Sequence, residues 1–159
     1  MFEKILWATD GSEAGDVALP VVKDLAAENG AVVVVFHSDQ RLVGARAYGY
    51  PVYVDEEDLK DRIRARVDEL RDEGYQATAE IVQSNTMSGV AHDIAEAVER
   101  EAVDLVVVAT RGHTTLGGLL LGSVTQRLLH FAPCPVLVVP VPARAETGRE
   151  STAAVAASA

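Results

Sequence analysis

The chain reads as an α/β protein: a parallel sheet of five strands with helices on both faces. Three observations lead there. Short apolar runs alternate with longer stretches of helical periodicity in the order βαβαβαβαβ. Residues 31–37 and 103–108 are almost continuously apolar, as strands covered on both sides are. Turn and cap residues punctuate the junctions, at Asp10-Gly11-Ser12, Asn29-Gly30, Gly74 and Pro133-Cys134-Pro135.

The length of 159 residues suits one domain able to bury a substantial core. With 48% hydrophobic and 24% charged residues, the composition is that of a soluble globular protein. No apolar run reaches the roughly 18 residues that a membrane span requires. The first residues run almost directly into a strand, without a basic flank or a small-residue cleavage site. The single cysteine, Cys134, has no internal disulfide partner and reads as a packed small residue. A reducing, cytoplasmic setting is expected. The net charge of −10 argues against nucleic acid as a partner, which needs a cationic footprint. Any anion site must therefore be local, built from backbone N–H groups with Arg111 or Arg127.

Residues 3–9 form the first strand, which stops at Asp10-Gly11-Ser12. The helix after it shows Val17, Val21, Val22, Leu25 and Ala26 on one face. Pro20 lies inside that pattern and should kink the helix unless the first turn is irregular. Residues 31–37 are the second strand. Residues 38–54, with three tyrosines and two glycines, read as a loop over the sheet edge. Asp55 then caps a charged helix with the apolar stripe Leu59, Ile63, Val67 and Leu70. Residues 75–83 alternate, as an edge strand does. The next helix points Val90, Ala91, Ile94, Ala95, Val98 and Ala102 inward. The fourth strand leads into a loop with Gly112, Gly117, Gly118 and Gly122. A last helix, from Ser123 to about Phe131, buries Val124, Leu128 and Leu129. Residues 136–139 are the fifth strand. The domain spans 1–141, and 142–159, poor in large apolar residues, should be a flexible tail.

The glycine loop is the functional signal. Glycines let a backbone approach a ligand closely, and the helix opening near Ser123 offers unpaired N–H groups and a positive dipole end. Phosphate suits such a loop, although a glycine-rich connection also turns a chain with no ligand at all. In parallel sheets, ligands sit outside the carboxyl ends of strands where the strand order reverses. Asp10 follows strand one and the glycine loop follows strand four, so both converge if those strands are neighbours.

Four separated motifs then resemble the universal stress protein family. They are Ile5-Leu-Trp-Ala-Thr-Asp10-Gly-Ser12, Asp104-Leu-Val-Val-Val-Ala-Thr-Arg-Gly112, Leu119-Leu-Leu-Gly-Ser-Val124 and Ala132-Pro-Cys-Pro-Val-Leu-Val-Val139. The resemblance covers about residues 2–140. It implies an adenine-nucleotide α-hydrolase-like fold with strand order 3-2-1-4-5. It also implies a homodimer paired through strand 136–140. The ATP-binding branch carries Gly, two residues, Gly, nine residues, Gly, then Ser or Thr. Gly112, Gly122 and Ser123 match that pattern, and Ala109 stands where its first glycine would be. The resemblance implies that Asp10 holds the ribose hydroxyls; otherwise Asp10 caps the first turn. Ala8, Thr9 and Ser38 would line the adenine side, with Ser38 where the family often has valine. Val108, Ala109, Arg111 and Gly112 would meet ribose and phosphates. Gly122, Ser123 and Val124 would cradle phosphate, with Ser123 doubling as the helix N-cap.

The expected function is that of a stress-response regulator binding ATP or a related adenine nucleotide, with Mg²⁺ arriving on the nucleotide. A nucleotide-independent dimeric interaction module of the same fold is the alternative. Catalysis beyond slow ATP hydrolysis is not expected, because no residue is placed to activate water. The four histidines have no metal-ligand spacing, so no protein-held metal is expected.

Overall fold

The computed structural model describes residues 1–39, 57–84, 89–110 and 122–141. The expected Asp55 cap, most of the 38–54 loop, Arg111, Gly112 and the 142–159 tail lie outside them. Five strands, β1 (Lys4–Ala8), β2 (Val32–Asp39), β3 (Ala77–Gln83), β4 (Leu105–Thr110) and β5 (Val136–Pro140), form one sheet. Their order is β3-β2-β1-β4-β5, and every neighbouring pair is parallel.

Alternation along the strands splits the core into two layers. Ile5, Trp7, Val33, Val35, Leu105 and Val107 face one side. There they meet Leu19, Val22 and Ala26 of α2 (Leu19–Asn29) and Ile63, Val67 and Leu70 of α3 (Glu57–Asp72). Leu6, Val34, Phe36, Val106 and Val108 face the other. They pack on Ala91, Ile94, Ala97 and Val98 of α4 (Val90–Glu101) and on Leu128 of α5 (Ser123–Phe131). Burial on both faces explains the continuous apolar runs.

Several local expectations change. Pro20 does not kink a long helix. The chain breaks at Val17–Ala18 into α1 (Glu13–Asp16) and α2, where Pro20 occupies the first turn and its missing N–H costs nothing. Ser38 and Asp39 are not loop residues; they continue β2, paired with Val82 and Gln83. Ala102 does not point inward: it is the exposed C-cap of α4, at φ 51°. Leu129 is 48% exposed, and Thr125 is buried on α5 instead. Among the described residues, no helix is long and apolar enough to cross a membrane.

Asp104 joins the amino ends of the central strands. Its carboxylate accepts the Glu3 N–H at 2.7 Å and the Lys4 N–H at 2.9 Å. Those main-chain bonds, led by that of Lys4, hold its pKa below the ordinary carboxylate value.

Candidate functional site

Where β1 ends, the chain turns on its own side chains. The Thr9 hydroxyl accepts the Gly11 N–H at 3.1 Å. Asp10 Oδ1 accepts both the N–H and the hydroxyl of Ser12, at 3.0 and 2.5 Å. Ser12 Oγ in turn accepts the Gly15 N–H at 3.2 Å and is the N-cap of α1. Asp10 therefore does not cap the helix; it orients the residue that does. Two glycines make this packing possible. Gly11 sits at φ +68°, and a Cβ there would lie 2.2 Å from Leu59 Cδ1. A Cβ on Gly15 would lie 2.7 Å from Thr9 Oγ1 and 3.0 Å from Asp10 Oδ1.

The end of β2 is pinned to this turn and to the helices. The Thr9 N–H donates to the Phe36 carbonyl at 3.0 Å. His37 Nδ1 donates to the Thr9 carbonyl at 3.0 Å, which makes the buried histidine a clamp between strands. Ser38 Oγ donates to Asp93 Oδ2 on α4 at 2.7 Å. Buried Asp39 meets Lys60 Nζ at 3.1 Å, and Lys60 also reaches Glu57 at 2.8 Å.

Across the crevice, α5 opens differently. Its N-cap is Gly122, at φ −59° and ψ 155°, rather than Ser123, which is the first helical residue. Glycine has no side chain with which to cap this end, and no cap bond is made among the described residues. A helix leaves its first N–H groups without helical partners and concentrates positive dipole charge there. Among the described residues, a Cβ on Gly122 would touch nothing within 4 Å.

Both walls border a cavity of about 410 Å³, within the range of small-molecule sites. It opens at the carboxyl ends of β1, β2 and β4, where the strand order reverses between β1 and β4. Ala8, Thr9, Asp10, Ser38, Val108, Ala109, Gly122, Ser123 and Val124 all line it. Sequence reading missed Phe36, Leu59, Val90, Ile94, Thr110 and Thr125, which line it too, and Asp93 behind Ser38. Those are apolar or small polar residues on helix and strand faces, and their one signal was periodicity. Ala109 lies within β4, opposite Val139. Ala102 is the one non-glycine residue at positive φ among those described, so the methyl at 109 carries no backbone strain.

A profile of the universal stress protein family matches residues 1–140. The chain belongs to this family. Similar proteins include the universal stress protein encoded 3′ of the QAH/OAS sulfhydrylase gene of Thermus aquaticus. The two are 36% identical over 145 residues, covering 87% of this chain and 99% of the relative. The universal stress protein MJ0577 of Methanocaldococcus jannaschii is 31% identical, covering 87% and 95%. The solved structure of MJ0577 superposes with a TM-score of 0.71 over 91% of this chain and 99% of its own. A universal stress protein solved in complex with cAMP, 20% identical over 89% and 98%, has a TM-score of 0.65 and shares the fold.

Proposed function

We propose that this universal stress protein binds ATP or a related adenine nucleotide in the cavity and passes its occupancy on as a cytoplasmic homodimer. The observation that carries the reading is the glycine-capped start of α5, which lines the same cavity as Asp10. Phosphate oxygens would accept the first-turn N–H groups at Gly122, Ser123 and Val124, a local attraction that a net charge of −10 does not cancel at short range. The donor set fits a phosphate: main-chain amides at a dipole end, with glycine leaving room for close approach. Asp10 would hold the ribose hydroxyls, and Ala8, Thr9 and Ser38 would border the base. Val108, Ala109, Arg111 and Gly112 would meet ribose and phosphates, and Mg²⁺ would come with the nucleotide. The cAMP-bound relative shows the fold; the nucleotide reading here rests on this chain's own cavity.

Dimerisation is supported by the far edge of the sheet. β5 is an edge strand, and Leu137, Leu129 and Phe131 on β5 and α5 are exposed at 36%, 48% and 46%. A second copy paired along β5 would cover that edge.

Denaturing the purified protein and running the supernatant on anion exchange tests the reading. Released adenine nucleotide, or calorimetric binding of ATP, supports it. Neither, at millimolar ATP, overturns it. The exposed α5–β5 surface also suits a nucleotide-independent interaction module, and Ala109→Gly separates the two readings. With alanine already extended and unstrained, the substitution should change ATP affinity less than about threefold. A large gain would show that the methyl disables the site and would favour the module.

A further inference from the structure

We propose that Ser38 and Asp93 set the base preference of the cavity, favouring a 6-aminopurine over a 6-oxopurine. This deepens the nucleotide reading and rests on it. Ser38 lines the cavity on the sheet face that meets α4, and Asp93 stands in the first turn of that helix. Both are buried, at 7% and 8% exposure, and the hydroxyl donates to the carboxylate at 2.7 Å. A serine hydroxyl has one proton and two lone pairs. With the proton committed to Asp93, Ser38 Oγ can only accept from a ligand.

The surroundings make that restriction matter. Phe36, Val90 and Ile94 line the same part of the cavity and offer a flat heteroaromatic ring an apolar bed. The phosphate end is drawn to α5. Inside such a bed, a 6-amino group donates to the serine lone pair. A 6-oxo group sets acceptor against acceptor beside a buried hydroxyl, and an unsatisfied polar pair is costly there. Asp93 thus acts as a positioning residue: it fixes which way the serine proton points.

Calorimetric titration with ATP and ITP tests the assignment, using the full chain and its Ser38→Ala, Ser38→Thr and Asp93→Asn variants. The wild type should bind ATP about tenfold or more tightly than ITP. Ser38→Thr, which keeps the hydroxyl, should keep that ratio. Ser38→Ala should bring it close to one. Asp93→Asn should lower it, because an amide can donate to Ser38 and release the serine proton toward the ligand. An ATP-to-ITP ratio unchanged in Ser38→Ala and Asp93→Asn would overturn the proposal and leave nucleotide binding standing. Failure of the wild type to bind ATP at all would overturn both.

Discussion

The two walls of the cavity treat their polar groups in opposite ways. On the β1–β2 wall, side chains satisfy the backbone and one another: Thr9 holds Gly11, Asp10 holds Ser12, Ser12 caps α1 and Ser38 donates to Asp93. On the α5 wall, glycine stands at the cap position, so the N-cap residue itself offers no side-chain bond to the first turn. The first wall is a scaffold whose polar groups are held by the chain itself. The second, on the reading proposed above, offers its donors to phosphate, and a glycine cap forgoes the stabilisation that a Ser, Thr, Asp or Asn cap gives. On that reading, stability and binding oppose one another on the α5 wall and run together on the β1–β2 wall, where the turn that holds the fold also holds Asp10.

The largest effect is expected from making the second wall resemble the first. Gly122 already has the extended angles of an N-cap and, among the described residues, nothing within 4 Å of where a Cβ would go. Gly122→Asp should raise stability by about 0.5 kcal/mol while weakening ATP binding by roughly 100-fold or more, since a carboxylate would take the amides and repel phosphate. Urea unfolding and calorimetry on the same preparation check both signs. A variant that gained stability yet bound ATP normally would break the comparison.

The converse experiment loosens the first wall. Gly15→Ala places a methyl against Thr9 Oγ1 and Asp10 Oδ1, and the turn must shift. A loss of ~1–3 kcal/mol is expected in urea unfolding, with weaker ATP binding as Asp10 moves. The single tryptophan, Trp7, is fully buried beneath this turn and reports the transition by fluorescence.

The smallest effect comes from the opposite end of the sheet, which serves as a control. The pKa of Asp104 is depressed by N–H donation from Lys4 and Glu3. A depressed folded pKa adds stability that is fully present above the unfolded value near 4 and lost as pH falls through the folded value. Asp104→Asn should flatten the decline in stability below about pH 4 and leave ATP affinity unchanged. Unfolding curves across that pH range read the change in slope, and an altered ATP affinity would show that the two ends of the sheet are coupled.

Much of this was legible in the chain. Two-sided burial leaves continuous apolar runs, and helices announce themselves by their stripes, so the five strands and the main helices could be placed closely. Asp10 and the Gly122–Ser123 start of α5 were legible because turns and helix ends demand particular residue types. The apolar lining was not. Phe36, Val90 and Ile94 carry no signal beyond that of core residues, since a cavity wall and a packed core use the same chemistry. Leu129 continues the apolar pattern of α5 yet lies exposed, because neighbouring elements, not periodicity, decide how wide a buried stripe is.

The order of strands and helices, the parallel class of the sheet and the end of it at which a cavity opens were legible in the sequence alone, through periodicity and turn chemistry acting over a few residues. Tertiary structure decided the rest. It brought Asp93 under Ser38, separated by 55 positions in the chain, and set Gly15 against Thr9 and Asp10. It also showed Ala109 to be an ordinary strand residue. Hydrogen-bond direction and steric fit depend on distances of a few tenths of an ångström between segments far apart in the chain, and no local pattern encodes them.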